Sequence, residues 1–212
     1  VPNEVAKTYR QLGARGLNAY TSDEQTVYVN NLPSNRLEAW ARLEADRFAR
    51  PVFRLFQTEI ETVYEEKNRS LDNAERILGE AVDRALFKVH PYGQQPTLGS
   101  IEHLKNPSLA KMYAFYDAYY VPNNMAIALS GDFDRAETLK LLERSFGAWK
   151  PKALPPAPSW SLPRPKGAER VEVKYEAEEK VVVAWMAPPQ GHPDADAIEV
   201  MDMIMDNSAA GL

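Results

Sequence analysis

GLNAYTSDEQTVYVNN, residues 16–31, carries two short runs of strand-favouring residues on either side of Ser22-Asp23-Glu24. Aromatic and β-branched residues suit a pleated surface, and a polar cluster between two such runs is turn chemistry, so the stretch predicts a β-hairpin. The period then changes. Pro33-Ser34 punctuates the chain, and Leu37, Trp40, Ala41 and Phe48 recur at helical spacing, which predicts a helix over about 35–48 with Ser34 as its cap. From Phe56 to Phe87 the chain is rich in Glu, Arg, Leu and Ala, with a break near Asp72-Asn73, and His90-Pro91-Tyr92-Gly93 ends this region in a loop.

Further along, residues 101–120 read as one helix, and MAIALSG, residues 125–131, as a short buried strand. Asp134 is placed to cap a helix over about 135–147, with Leu139, Leu142 and Phe146 on its inner face and Gly147 as its stop. Residues 151–167 hold six prolines and should be extended. They read either as a domain linker or as a long connection inside one domain. The second reading is preferred, because the hairpin predicted over RVEVKYEAEEKVVVAWMAP, residues 170–188, needs other strands to pair with and a helix to cover it. An amphipathic helix over about 194–206, with Ile198, Met201, Ile204 and Met205 apolar, closes the series. Helices mixed with antiparallel hairpins make the fold class α+β.

Composition narrows the function classes. The 212 residues contain 25 basic and 30 acidic side chains, scattered through the chain, which leaves no electrostatic footprint for nucleic acid. There is no cysteine, so thiolate metal sites and cysteine nucleophiles are excluded. The longest apolar runs fall far below the ~20 residues that a membrane helix requires. VPNEVAKTYRQLG at the start lacks the pattern of a signal peptide, and the compartment, periplasmic or cytoplasmic, stays open. Both ends read as cut, so the chain is expected to be a fragment of something longer.

Two glutamates in TEIETVYEEKNRS, residues 58–70, stand out. Glu59 and Glu66 lie seven apart, almost two helical turns, so their carboxylates point the same way. That is metal-ligand geometry or a solvated stripe, and periodicity alone favours the stripe. The three histidines, His90, His103 and His192, are too far apart in sequence to form a paired helical ligand set and read as turn or surface residues. No serine sits in a nucleophile elbow, and no glycine-rich phosphate loop is present.

GLNAYTSDEQTVYVNNLPSN, LEADRF, ETVYEEKNRSLDN, HPYG and YYVPNNMAIALSGDF, in this order, closely resemble the inverted-zincin metallopeptidases of the pitrilysin and insulinase type, over nearly the whole chain. The resemblance implies a zinc-bearing half-domain with a mixed, largely antiparallel sheet covered by helices on one face. It implies that Glu66 is the zinc ligand, that Glu59 supports the site, and that Glu65 is the neighbouring acid facing away. It also implies that Asn18, Ala19 and Tyr20 form an edge strand to which a substrate peptide is added as a further strand. A carboxylate oxygen can complete a two-histidine zinc site that leaves one position for water, and a second carboxylate can orient the ligands.

The H-x-x-E-H segment, which in that family supplies two histidine ligands and the general base, is absent from these 212 residues. Residues 1–212 are therefore expected to be a partial half-domain, lacking its first strands and the H-x-x-E-H helix, with the 151–167 connection inside it. The parent would be a zinc metalloendopeptidase closing on peptide or unfolded protein with a second half-domain. The fragment alone would be inactive, would hold Zn2+ weakly, and would tend to self-associate through uncovered apolar surface. The competing reading is a non-catalytic family member that binds peptide or acts as a scaffold. Retention of both glutamates argues against it, since an abandoned site has no reason to keep buried carboxylates unpaired.

Overall fold

The computed structural model describes residues 4–163, 166–189 and 191–206. In chain order its elements are α1 (Glu4–Gln11), β1 (Arg15–Thr21), β2 (Thr26–Asn31), α2 (Leu37–Ala49), α3 (Phe56–Ser70), α4 (Ala74–Leu86), α5 (Pro91–Gln94), α6 (Ile101–Lys105), α7 (Leu109–Tyr119), α8 (Arg135–Phe146) and α9 (Ala195–Asp206). They fall into two compact units. The first comprises the chain up to Asn73 together with Gln95–Ser161, and the second comprises Ala74–Gln94 together with the chain from Leu162.

In the first unit β1 and β2 form the predicted antiparallel hairpin, with Asn18 opposite Val29, Ala19 opposite Tyr28 and Tyr20 opposite Val27. Its turn closes through the Ser22 N–H, which donates to the Gln25 carbonyl at 2.8 Å. Between Arg15 and Asn18 the register slips by one residue, a bulge on β1. Gly16 sits there at φ 61°, a left-handed conformation that favours glycine, and a Cβ on it would stand 3.0 Å from Asn31 Nδ2.

α2 packs against α8, and α3 against α6. Asp134 caps α8 as expected, its carboxylate accepting from the Glu137 N–H at 2.8 Å. The face that α8 turns inward differs from expectation: Leu139 is 56% exposed, whereas Thr138 is buried and Leu141 and Leu142 are half-buried. Ser34 does not cap α2. Pro33 presets a 3-10 turn over Ser34–Arg36, and α2 starts after Arg36 without a side-chain cap. The helix expected over 101–120 is two helices, because Pro107 has no N–H to donate and disfavours helical geometry at Asn106, after which Ser108 caps α7 through the Lys111 N–H.

MAIALSG does not form a strand. A strand needs a hydrogen-bonded neighbour, and among the described residues the only ladder is β1–β2; within residues 125–131 only Met125 and Leu129 are half-buried, the others being exposed. The same correction applies in the second unit, where residues 170–188 form no paired hairpin and Val181 and Trp185 are 90% and 73% exposed.

In that unit α4 packs against α5, a short helix where a plain loop was expected after His90. The Phe87, His90 and Tyr92 rings pack on one another, and the Gly93 N–H donates to the His90 carbonyl at 3.1 Å. Gly93 is buried, and a Cβ there would stand 2.5 Å from the Phe87 carbonyl oxygen and 2.6 Å from that of Asp83. The fold class is α+β.

Candidate functional site

α3 carries the glutamate pair. It begins after Leu55, which lies in the left-handed region at φ 61°, and the Glu59 N–H donates back to the Leu55 carbonyl at 2.9 Å. An acidic residue in the first turn and Lys67 and Arg69 in the last both suit the helix dipole. The face against the unit is built from Ile60, Val63, Tyr64 and Lys67, half-buried or buried, which leaves Glu59, Glu65 and Glu66 exposed. Glu59 and Glu66 share a side of α3 as their spacing requires, but the expectation that they are buried is corrected. Their exposure does not set Glu66 apart from Glu65.

None of the histidines joins them in a metal site. His103 lies in α6, its N–H on the Ser100 hydroxyl, and is exposed. His90 accepts from the Tyr92 N–H, and exposed His192 accepts from the Asp194 N–H. Among the described residues no three His, Asp or Glu side chains come together in a group that could hold a metal ion. One helix offering two exposed carboxylates does not fit a zinc centre by itself. No helix among the described residues is long and apolar enough to cross a membrane.

β1 presents the other predicted element. Asn18, Ala19 and Tyr20 are all exposed, and β1 pairs only with β2 among the described residues, so its second edge offers backbone donors and acceptors to an extended chain.

Behind the hairpin lies a polar and aromatic cluster. Glu44, on α2, is only 4% exposed and accepts a hydrogen bond from the hydroxyl of Tyr9, which is 1% exposed. One turn later Arg47 Nη2 donates to the same carboxylate at 2.6 Å. The Arg47 guanidinium stands over two rings, 4.9 Å from the centroid of Tyr28 and 4.6 Å from that of Phe48. From α7 and its end, Tyr116 donates to the Phe48 carbonyl at 2.8 Å, Tyr120 shares a 2.9 Å hydrogen bond with Tyr28, and the Tyr116 and Tyr120 rings stack at 4.2 Å. Phe53, on the approach to α3, packs on Tyr113 and Tyr116.

Electrostatics follow from this enclosure. Burial pushes the Glu44 carboxyl above its ordinary range, outweighing the charge and hydrogen bond of Arg47 that pull it down. Desolvation likewise raises the Tyr28 phenol, and raises that of Tyr116 to about 12. The sequence places Phe48 on the α2 stripe and Tyr28 in the hairpin, and Glu44, Arg47 and Tyr120 within the stretches that carry the resemblance, but it does not join them into a cluster. The available signal was the spacing of Tyr113, Tyr116 and Tyr120, which is that of one helix face.

Comparison with known proteins bears on this arrangement. Residues 2–98 match the insulinase family of peptidases, peptidase family M16, and residues 107–211 match the peptidase M16 inactive domain. An uncharacterized zinc protease of Mycobacterium leprae is 29% identical over 147 residues, which are 68% of this chain and 33% of that protein. The chain thus spans about a third of that relative's length. The crystal structure of a protease from Helicobacter pylori superposes with a TM-score of 0.66 at 24% identity, covering 77% of this chain and 40% of that one. The first half of the periplasmic protease PqqL from Escherichia coli superposes with a TM-score of 0.66 at 23% identity, covering 76% and 36%. At these identities the two structures speak for the fold. With both ends of the sequence matching domains of one peptidase family, the chain belongs to the pitrilysin/insulinase-type peptidases.

Proposed function

We propose that this chain is part of a zinc metalloendopeptidase that holds its substrate as a strand added to β1. Asn18, Ala19 and Tyr20 receive the peptide backbone, so affinity comes mainly from main-chain hydrogen bonds and accepts many sequences. Glu66 is the carboxylate ligand to zinc and Glu59 its support, with the histidine ligands and general base drawn from an H-x-x-E-H segment that these residues do not contain. A second half-domain of the parent closes over the peptide. In this reading residues 1–212 lie within one half-domain, with the 151–167 connection inside it, and the chain alone is inactive.

The observation that carries the reading is the open edge of β1, in a unit whose α3 presents two glutamates two turns apart on its exposed side. Zinc titration calorimetry tests it, with Glu66→Gln as control. Weak or undetectable binding that the substitution does not change fits a ligand set completed elsewhere. Tight one-to-one binding abolished by the substitution would overturn that account. The exposure of Glu59 and Glu66 removes the burial argument against a non-catalytic, peptide-binding role, and turnover of an unstructured peptide by the parent separates the two.

A further inference from the structure

The cluster behind the hairpin ties both strands to one helix. β1 follows α1 directly, and α1 is anchored through Tyr9 to Glu44; β2 is anchored through Tyr28 to Arg47 and Tyr120. Glu44 and Arg47 are themselves joined, one turn apart on α2. The chain reaches β1 through a tight turn, the Ala14 N–H donating to the Tyr9 carbonyl at 2.9 Å, so the Tyr9 anchor acts close to the start of the strand. On the other side Tyr28 lies directly opposite Ala19, the central residue of the proposed receiving strand.

We infer that the Glu44–Arg47 pair positions the β1 edge for an incoming extended peptide, with Arg47 a positioning residue that acts through Tyr28. The inference rests on the reading of β1 as the receiving strand. Strand addition demands that successive N–H and C=O groups keep a fixed line, and a two-stranded hairpin is marginal without an external brace. The guanidinium supplies that brace in a form a compact ammonium does not: it stands over the Tyr28 and Phe48 rings, 4.9 and 4.6 Å from their centroids, while its Nη2 donates to the Glu44 carboxylate. The peptide need carry no particular side chain for this. Its backbone is what the brace serves.

The test uses the chain itself, a fluorescein-labelled unstructured peptide of about ten residues, and amide hydrogen exchange of the hairpin. Arg47→Gln and Arg47→Lys are compared with Leu141→Ala on α8, which loosens α8 against α2 while leaving Tyr9, Tyr28, Glu44 and Arg47 unsubstituted. Arg47→Lys keeps the charge opposite Glu44 and so remains informative if Arg47→Gln fails to fold. Both Arg47 variants are expected to weaken peptide binding, Arg47→Gln by about tenfold, and to speed exchange at residues 18–20 and 27–29; Leu141→Ala should lower the urea midpoint but keep the affinity. Equal loss of affinity in Leu141→Ala would overturn the inference, reducing Arg47 to general stability. So would wild-type affinity and exchange in Arg47→Lys. A wild-type chain with no affinity for the peptide would instead overturn the strand-addition reading itself, and the inference with it.

Discussion

The phenol of Tyr9 donates a hydrogen bond to the carboxylate of Glu44, joining residues 35 positions apart in the interior of the first unit. Because Glu44 also holds Arg47, removing it strands a cation and a phenol together. Glu44→Ala is expected to cost about 2–4 kcal/mol in urea unfolding, below the largest losses for broken buried pairs because Arg47 keeps some contact with water. Tyr9→Phe, which loses one donor and keeps the ring, should cost about 1–2 kcal/mol. A loss under about 1 kcal/mol for Glu44→Ala would mean the pair is solvated.

The pH dependence has a definite sign. Burial raises the folded-state Glu44 carboxyl above its ordinary value of 4.5, so the native state binds this proton more tightly than the unfolded chain does. The group's contribution is therefore most favourable below pH 4.5 and declines as the pH rises from there to the folded-state value. Glu44→Gln cannot titrate. The wild-type stability minus that of the variant should fall across this window in urea unfolding at a series of pH values; a difference that grows with pH would contradict the assignment.

Gly93→Ala should destabilise the second unit by about 2–3 kcal/mol, since its Cβ would press on the carbonyl oxygens of Phe87 and Asp83, which are backbone and cannot swing away. Thermal unfolding followed at Tyr92 and Phe87 would register it. An unchanged midpoint would show that the turn after α4 has slack.

Leu55 holds a left-handed conformation at the start of α3. A branched Cβ is less tolerable there than none, so Leu55→Val should be less stable than Leu55→Gly by about 1–2 kcal/mol. The reverse order in denaturant titrations would mean that this residue leaves the left-handed region in solution.

Exposed Val181, Val183 and Trp185, and the exposed Met201, Met203 and Ile204 of α9, leave the second unit with uncovered apolar surface. Sedimentation velocity at rising concentration should show self-association, reduced by Val183→Lys. A monodisperse monomer at every concentration would contradict this.

The hairpin, α2, α3, α4, α8 and α9 were legible because their signals are local: alternation, helical spacing, an aspartate cap, a break at Asp72-Asn73. MAIALSG and residues 170–188 were misread for a physical reason. Their composition reports that they suit a strand, whereas forming one depends on a partner that composition cannot supply. Pro107 is a local signal that divides α6 from α7, and the spacing of Tyr113, Tyr116 and Tyr120 is another. The glutamate spacing was legible and its exposure was not, since periodicity fixes which residues share a side but not which side is covered. Glu44 was invisible for the opposite cause. An acid inside an exposed-looking helix is explained only by Tyr9 and Arg47, and the first of these lies on another element.

The bulge at Gly16 sets the parity of β1. One residue more or fewer before Asn18 would exchange the two faces of every position after it, turning Tyr20 toward the side that Ala19 now occupies. Any chain laid along that edge would then meet the opposite set of side chains while finding its backbone partners unchanged. A single glycine thus decides which side chains of β1 line each face of the hairpin.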